Sequence, residues 1–586
     1  MKLLNKYIVA VFLASAIFSC TDDFDELNTN PNSPTADNPA TESVLASSMR
    51  KAFHEDRYEF WRGVVLHAER FAGHVDGGYK GGWWAPGNSY DYSEGWTAAA
   101  WDSYNSSSYV NGFGGALFAN TNLLMEYYEQ NPDADHAKEF VGICQVLRSY
   151  QFLKITDLFG DAPYTEHGNI DIPSPKFDAQ KEIYDDIEAV LKLVVEDHLS
   201  AEKTIPTMSN FDLVYKGDVT KWRKFANSLR LRMALRRSSV DEAGAKAILA
   251  DVVKYPLIES NDENVMVKRT ESTDYLHNQY HGFFAAWKGA FPEGGPSSYQ
   301  WDGYSVTWAP GPGAFIPARE LVEVMKGSAL YASEVKDGGS GTEDINALSG
   351  IYDPRINKFF MSPKGNVENE HKGRPARAVY FVDANDTIRN IQNHDVEGEV
   401  HNHSWLHPSI WYDGGTWSPV SMDYAEVCLA MAEAVQRGLV ASGKTDADWL
   451  KEGLEASCER WGAENGADFA DDVANKYALA SPDEKVAIIA TERWVSAYTV
   501  PHQAYAVLRR TGHPKFCFLD KDRQINGIWK DADGTIDPNR TIEKYAQGST
   551  NFELPRRMRV PESEVAINNN VPEENKDMRN KVWWGK

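Results

Sequence analysis

Aromatic and aliphatic side chains recur at helical spacing between Gly217 and Arg237. Trp222, Phe225, Leu229 and Met233 follow one another at intervals of three, four and four residues. These intervals place the four side chains on one stripe of an α-helix. Lysines and arginines occupy much of the remaining surface of the same helix. We predict a scaffold helix whose stripe packs against neighbouring helices and whose arginines pair with surrounding carboxylates.

A basic helix with an aromatic face is also compatible with nucleic-acid binding. The whole chain, however, has 586 residues and a formal net charge of -25. Because a strongly acidic protein is repelled by phosphate, we exclude nucleic acid as a partner. The five cysteines include no CxxC pair, which argues against a zinc cluster or a redox dithiol. Cys144, Cys428 and Cys458 fall in helical patterns and are expected to be buried thiols.

The N-terminus has the pattern of an export signal. Two lysines precede an apolar run from Tyr7 to Phe18, which is too short to span a bilayer. The run ends in Ser19-Cys20, which resembles a bacterial lipobox. That resemblance implies a signal peptide over residues 1–19, cleavage before Cys20, and lipid attachment, including palmitate, to this cysteine. The alternative is an ordinary secretory signal followed by an unrelated cysteine.

Residues 20–40 are expected to form a tether. They are rich in Asp, Asn, Pro and Thr, a composition typical of linkers. The acidic residues directly after Cys20 resemble the signal that exports lipoproteins to the outer face of the outer membrane, although a solvated tether would have the same composition. No later segment offers 18 uncharged apolar residues, so we predict no transmembrane helix in the rest of the chain.

Within residues 41–586, helical periodicity is concentrated in two parts. A glycine- and aromatic-rich stretch at 72–115 precedes the first part, and another at 259–420 separates the two. We expect both stretches to be mostly loops. Residues 374–382 and 401–405 are the candidate short strands. The predicted helices, apart from Gly217–Arg237, are Thr41–Phe53, Asn120–Tyr128, a helix from about Phe140 to Asp157, one that follows a cap at Asp178, Glu242–Val252, a helix beginning at Met422, Ala447–Trp461 and Glu484–Val500.

Three short patterns suggest other chemistry. Residues 438–445 match a phosphate-binding loop, but the preceding pattern is helical, whereas such a loop follows a strand. Residues 531–537 have carboxylates at calcium-loop spacing, but they lack the ligand at position 12, and a hairpin turn at Asp533-Gly534 explains them better. His401, His403 and His407 have no acidic partner at a fixed offset, so surface or packing roles are favoured over a metal site.

Several segments, taken in order, resemble the SusD/RagB family of Bacteroidetes surface lipoproteins, most closely its SusD-like branch. They cover nearly all of the chain after Cys20. The segments are LNTNPNSPT after Cys20, DLFGDAPYTE at 157–166, PSPKFDAQKEIYDDIEAVL at 173–191, GDVTKWRKFANSLRLRMALR at 217–236, DPRI at 353–356, DYAEVCLAMAEAVQRG at 423–438, RRTGHP at 509–514 and PRRMRVPESEVAINN at 555–569.

The resemblance implies one mostly α-helical domain over residues 41–586. Its scaffold would consist of four tetratricopeptide-like helix pairs with long, loop-rich insertions that contain small strands. It also implies a protein without catalytic activity or cofactor, although a structural calcium ion is compatible with it. Such a protein would be lipid-anchored in the outer membrane and exposed at the cell surface. It would capture an oligosaccharide and deliver it to a SusC-like TonB-dependent transporter.

The two aromatic-rich stretches are the candidate binding surface, because Trp and Tyr rings stack on the apolar face of a sugar while polar side chains bind its hydroxyls. The ligand residues that we predict are Trp83, Trp84, Trp301, Tyr304 and Trp308. The polar and aromatic neighbours Asn88, Tyr90, Tyr299, Gln300 and Asp302 would assist them. The alternative is that these rings fill the core of the loops, as large aromatic side chains commonly do.

The sequence is also compatible with two other functions. A RagB-like peptide receptor is compatible with the acidic charge of the chain. A surface glycosidase would need two carboxylates about 5 Å or 6.5–9.5 Å apart, which a sequence cannot reveal. The sequence does not identify the glycan or peptide, or the stoichiometry with the transporter.

Overall fold

The computed structural model describes residues 37, 39–53, 59–76, 90, 92–105, 117–169, 171–270, 316–329, 344–361, 378–382, 404–411, 417–515, 542–545, 549 and 554–585. The described residues up to 270 are mostly helical. A π-helical segment, Phe60–Ala68, precedes α2, and a second one, Val194–His198, extends α6. The helices are α1 (Thr41–Phe53), α2 (Glu69–Phe71), α3 (Glu94–Asn105), α4 (Leu117–Gln130), α5 (Ala137–Phe159), α6 (Gln180–Leu193), α7 (Val219–Arg237) and α8 (Glu242–Val252).

Helices also dominate the second half, together with short 3-10 turns. The described strands all pair as two-stranded antiparallel ribbons. The helices are α9 (Arg319–Met325), α10 (Ile356–Phe359), α11 (Pro408–Trp411), α12 (Tyr424–Gln436), α13 (Asp446–Trp461), α14 (Gly466–Leu479), α15 (Pro482–Ser496), α16 (Pro501–Thr511) and α17 (Glu562–Ile567). The strands are β1 (Val75–Asp76), β2 (Ile316–Pro317), β3 (Phe360–Met361), β4 (Ala378–Val382), β5 (Trp405–Leu406) and β6 (Ile542–Tyr545).

Four helix pairs form the scaffold, as predicted. The pairs are α4 with α5, α6 with α7, α12 with α13, and α15 with α16. Each pair also contacts the next, through α5 with α6, α7 with α12, and α12 with α15. Such stacking buries a continuous apolar core, which no single helix pair could provide. The predicted fold class, a mostly α tetratricopeptide-like scaffold with small strands in the loop-rich parts, is therefore confirmed.

Helix α7 lies at the centre of this stack. Asp218 caps it by accepting a hydrogen bond from the backbone of Lys221, at 3.1 Å. Sixteen of its nineteen residues are buried, so its surroundings must satisfy polar as well as apolar side chains. The predicted stripe is confirmed, because Trp222, Phe225, Leu229 and Met233 all lie in the core.

The arginines of α7 are paired as the sequence predicts, and their partners come from four different helices. Arg230 contacts Glu188 of α6 and Asp251 of α8, each at 2.7 Å. Arg232 binds Glu426 of α12 at 2.7 Å, Arg236 binds Asp157 of α5, and Arg237 binds Asp185 of α6. A buried guanidinium is tolerated only when it is paired in this way. The basic residues therefore connect helices and do not form a nucleic-acid surface.

Three local expectations need correction or extension. Residues 72–115 are not all loop, because they contain the twelve-residue helix α3. This helix begins beside Gly95, and no further glycine occurs before residue 112. The glycines therefore disfavour a helix only in the residues before α3. Asp178 does not cap α6, because its carboxylate accepts from the backbone N–H groups of Tyr164 and Thr165 at 3.2 and 2.8 Å. Helices α14 and α16 are additions that the periodicity did not predict.

The predicted strands agree with the structure where it describes them. β4 and β5 fall within or at the end of the candidate stretches 374–382 and 401–405. The three cysteines of the helical segments, Cys144, Cys428 and Cys458, are free and buried. Within the described residues, no helix is both long and apolar enough to cross a membrane.

Candidate ligand-binding site

The two-stranded ribbon β1–β2 determines where the two predicted binding segments begin and end. Val75 pairs with Pro317, and Asp76 pairs with Ile316. The segment that starts at residue 77 and the one that ends at residue 315 therefore depart from adjacent positions, about 5 Å apart, as neighbouring strands are. The first of these segments contains Trp83 and Trp84, and the second contains Trp301, Tyr304 and Trp308.

A second ribbon, β3–β5, lies beside the first. Phe360 pairs with Leu406, and Met361 pairs with Trp405. β5 also contacts β2, so the four strands β1, β2, β5 and β3 form one continuous unit, which we call the strand corner. The chain between β3 and β5, which contains β4, also begins and ends at these strands. The strand corner thus gathers the ends of three long segments on the helical scaffold.

Two aromatic side chains hold the base of the strand corner. The indole Nε1 of Trp494 in α15 donates a hydrogen bond to the carbonyl oxygen of Ala72 at 2.7 Å. The ring of His74 packs on that indole with centroids 4.7 Å apart, and its Nε2 lies 3.0 Å from the carbonyl oxygen of Trp494. The backbone N–H of Ala318 then donates to the carbonyl oxygen of His74 at 2.9 Å. Trp494 and His74 therefore connect the last turn of α15 to both strands of the first ribbon.

Burial below the strand corner keeps His74 uncharged. His74 is fully buried, and burial lowers its pKa to about 3. Its other ring nitrogen, Nδ1, is 3.9 Å from the buried Glu69 carboxylate. At neutral pH His74 is consequently a neutral packing and hydrogen-bonding group and not a charged ligand residue.

Tyr90 closes the other end of the first aromatic segment. Its backbone φ is +54°, and its carbonyl oxygen accepts a hydrogen bond from the N–H of Ser549 at 3.2 Å. Its ring is only 1% exposed and meets Phe71 edge-on, with centroids 5.7 Å apart. The expectation that Tyr90 assists ligand stacking is therefore wrong, because its ring is part of the core. Both ends of residues 77–89 are fixed to the scaffold.

The predicted ligand residues Trp83, Trp84, Trp301, Tyr304 and Trp308 lie outside the described residues, as do Asn88, Tyr299, Gln300, Asp302 and the predicted lipidation site Cys20. Their roles stay predictions. The structure adds the positions from which their segments emerge. Sequence reasoning missed the residues that fix those positions, since two-residue strands and a buried histidine leave no periodic signal.

A model of one protein family, described as "Starch-binding associating with outer membrane", matches residues 78–287 and 329–531. These two stretches make up well over half of the chain. The chain belongs to the SusD-like family. No curated protein matches it significantly.

Solved structures of SusD homologues share this fold. One from Bacteroides uniformis has 21% sequence identity and a TM-score of 0.64, and the match covers 93% of this chain and 99% of that chain. A chitin-binding homologue from Flavobacterium johnsoniae has 19% identity and a TM-score of 0.63, over 93% and 98% of the two chains. A homologue from Parabacteroides distasonis has 21% identity and the same TM-score, over 93% and 98%. At these identities the likeness shows the fold alone.

The residues of this SusD-like chain that match a phosphate-binding loop connect helix α12 to helix α13. Residues 438–445 follow helix α12 and not a strand. Lys444 pairs with Glu452, and its ammonium lies 4.3 Å from the centre of the Trp449 ring. Thr445 forms a capping box with Asp448 at the start of α13. The lysine and the threonine that a nucleotide site would use are therefore engaged elsewhere.

Metal ligation finds no support in the part of the SusD-like chain that the structure describes. No group of three His, Cys, Asp or Glu side chains there is arranged to hold a metal ion. His407 instead interacts with Ser409, with Nδ1 and Oγ 2.7 Å apart. His401, His403 and residues 531–537 lie outside the described residues.

A large cleft of the SusD-like chain has no strand-corner residue in its described lining. It has a volume of 1090 Å³ and lies among the ends of α12, α14 and α16 and the start of α15. Its described lining includes charged groups of both signs, among them Arg437, Lys476 and Glu484, but no Trp, Tyr or Phe. The described lining therefore offers no ring on which a sugar could stack.

Proposed function

We propose that this chain captures an oligosaccharide at the outer membrane and delivers it to a SusC-like TonB-dependent transporter. The observation that carries the proposal is the β1–β2 ribbon, because it places the ends of two tryptophan-rich segments side by side. The family description, which names starch binding and association with the outer membrane, supports both the ligand class and the location. The Flavobacterium johnsoniae relative is described as chitin-binding, which is consistent with a glycan ligand.

The chemistry of the two segments suits a sugar. Trp83 and Trp84 from one side, and Trp301, Tyr304 and Trp308 from the other, would present aromatic faces to pyranose rings. Burial of the apolar C–H surface of a sugar contributes roughly 25 cal/mol per Å² to the free energy of binding. Two or three stacked rings can therefore bind a sugar without any charged contact. A scaffold that fixes the ends of both segments reduces the entropy lost on binding.

Lipid attachment at Cys20 would anchor the protein. The tether over residues 20–40 would then separate the helical domain from the membrane and leave its loops exposed at the cell surface. We propose no catalytic role, because the family description names binding and no reaction. Metabolic labelling with palmitate, compared between the wild-type chain and Cys20→Ala, tests the anchor. Labelling that persists in Cys20→Ala would refute it.

Isothermal titration against a panel of maltooligosaccharides, chitooligosaccharides and other glycans tests the ligand class. We expect binding that is weakened at least about tenfold by Trp84→Ala or Trp301→Ala, as the loss of one stacked aromatic ring predicts. Trp449→Ala is the matched control, since this half-buried ring belongs to α13 and its Nε1 donates to Ser442. Binding of peptides without binding of any glycan would refute the proposal in favour of a peptide receptor. Hydrolysis of a bound oligosaccharide would refute the absence of catalysis.

Co-purification from the outer membrane tests the transporter step. An affinity-tagged chain should retain a TonB-dependent barrel protein when it is extracted in mild detergent. Recovery of the lipidated chain without any barrel protein would contradict the delivery step but would leave glycan capture intact.

A further inference from the structure

A second cleft, with a volume of 530 Å³, borders the strand corner. Asn357 and Lys358, which belong to α10 directly before β3, line one side, and His407, which directly follows β5, also contributes. The first two turns of α14 contribute Asp468 and Asp472 to the same lining. The volume is within the range of small-molecule sites, about 300–1,000 Å³. The cleft is thus the right size for a ligand and adjoins the strand corner.

The walls of the cleft combine apolar and aromatic surface. Tyr352 is half-buried against the core, and its hydroxyl lies 3.4 Å from Oδ1 of Asn357. Phe469 also lines the cleft; it is 4% exposed, and the guanidinium of Arg355 lies 5.2 Å from its ring centre. Tyr352 therefore gives the described lining a partly exposed aromatic ring on which a sugar could stack.

Acceptors on α14 are available to a ligand. Asp468 and Asp472 are exposed and one helical turn apart, so they lie on the same face of α14. Neither forms a hydrogen bond or ion pair within the described part of the chain, whereas the neighbouring Asp471 of the same helix pairs with Lys451. Asn465, also exposed, precedes the helix with φ +60° and forms no side-chain cap. These groups can accept hydrogen bonds, and the carboxamide of Asn465 can also donate two.

The strand corner contributes hydrogen-bond donors to the same cleft. Nδ1 of His407 accepts from the backbone N–H of Ser409 at 3.2 Å. Burial, assisted by the neighbouring charge of Lys358, lowers the pKa of His407 to about 4, so the ring is neutral and carries its proton on Nε2. Lys358 adds an ammonium group to the same side. Donors and acceptors thus surround one aromatic ring.

We propose that this cleft is an additional sugar subsite, which binds uncharged, hydroxyl-rich saccharide units of an oligosaccharide that extends from the strand corner. The proposal rests on the function proposed above. A sugar hydroxyl group both donates and accepts hydrogen bonds. It therefore suits a lining of aspartate, asparagine and histidine side chains better than an anion, which can only accept them. Glu464, Asp468 and Asp472 outnumber Lys358, so an acidic sugar is repelled. A bare metal ion is disfavoured, since within the described residues no three such side chains are arranged to hold one.

Titration with oligosaccharides of two lengths tests the subsite. The probes are maltoheptaose and chitohexaose, with maltotriose and chitotriose as the short partners. We expect the double variant Asp468→Ala/Asp472→Ala to weaken binding of the long probe about tenfold, as the loss of one or two hydrogen bonds to carboxylates predicts, and to leave the short probe unchanged. Asn465→Gly, which suits the positive φ of this position, should act in the same direction.

Asp471→Ala is the matched control, because this aspartate belongs to the same helix but pairs with Lys451. Melting temperatures establish that every variant is folded. Unchanged affinity of the double variant for the long probe would overturn the subsite, as would an equal loss for both lengths, which would make the cleft the primary site. If the wild-type chain binds no glycan, the proposed function fails, and the subsite fails with it. Crystals soaked in glucose or N-acetylglucosamine provide a direct readout, and a sugar ring placed only outside the cleft would also contradict the subsite.

Discussion

Trp494 offers the sharpest test of how the scaffold positions the binding segments. It is fully buried, and its indole N–H donates to the carbonyl oxygen of Ala72 at 2.7 Å. In Trp494→Phe, this carbonyl loses the donor, which costs about 1–3 kcal/mol. The missing part of the indole leaves a cavity that costs about 1–2 kcal/mol more. We therefore expect the free energy of unfolding to fall by about 3 kcal/mol.

The same substitution should also weaken glycan binding. Trp494 holds Ala72 and His74, and residue 77 begins the first aromatic segment only three positions after His74. Loss of the indole hydrogen bond loosens the base of β1, so part of the binding energy must then be used to order the segment. We expect the dissociation constant to rise at least about tenfold, which corresponds to about 1.4 kcal/mol.

Trp222→Phe provides the matched control. Trp222 is likewise fully buried, and its Nε1 donates to Oδ2 of Asp212 at 2.8 Å. It lies in α7, and the side chains that it contacts do not belong to the strand corner. Denaturant unfolding should give a loss of about 3 kcal/mol for this variant too, but isothermal titration should give nearly wild-type affinity. Equal affinities for the two variants would refute the role of Trp494 in positioning the segment.

Three further predictions concern the buried charges and the backbone of the scaffold. Glu433 contacts Arg437, Arg493 and Arg510, so Glu433→Gln should reduce the free energy of unfolding by about 3–5 kcal/mol, whereas the exposed Glu455→Gln should change it by less than about 0.5 kcal/mol. A similar loss for both in denaturant titrations would contradict this. Burial, with repulsion from Asp353, raises the pKa of Glu492 to about 7 despite the neighbouring Arg355. The pKa of a glutamate in the unfolded chain is about 4.3, so between about pH 4 and 7 the folded chain keeps a proton that the unfolded chain has lost. The free energy of unfolding therefore falls by about 4 kcal/mol as pH rises through this window. Glu492→Gln should remove that decrease, and an unchanged slope would refute the assignment. Gly217 has φ +85°, and an added Cβ would approach the carbonyl oxygen of Ile205 to 2.5 Å, so Gly217→Ala should cost at least about 1–3 kcal/mol. A variant that melts like the wild-type chain would contradict this.

The helices were largely predictable because their signals are local. Thr41–Phe53 and Glu242–Val252 have the same bounds in the structure as in the sequence pattern. Asp218 caps α7 as its position before an apolar stripe suggests. Where a competing interaction takes the side chain, as with Asp178 and the backbone of Tyr164 and Thr165, the same signal gives the wrong cap.

The site was less predictable because its anchors are remote in sequence. Val75 and Pro317 are paired but lie more than 240 positions apart, and each strand has only two residues. Neither periodicity nor turn chemistry can specify such a pairing. Tyr90 illustrates the same limit, since its burial against Phe71 shows that its ring is core and not binding surface. Composition singled out the aromatic segments, but it could not separate exposed rings from buried ones.

The central claim is that the two aromatic segments joined at the β1–β2 ribbon form one glycan site. Isothermal titration of Trp84→Ala, Trp301→Ala and the double variant, with the best-bound member of the glycan panel, tests it most directly. We predict that each single variant weakens binding at least about tenfold and that the double variant shows a non-additive loss, as residues that share one ligand do. Full affinity in either single variant would contradict the claim, because one of the two segments would then lie outside the site.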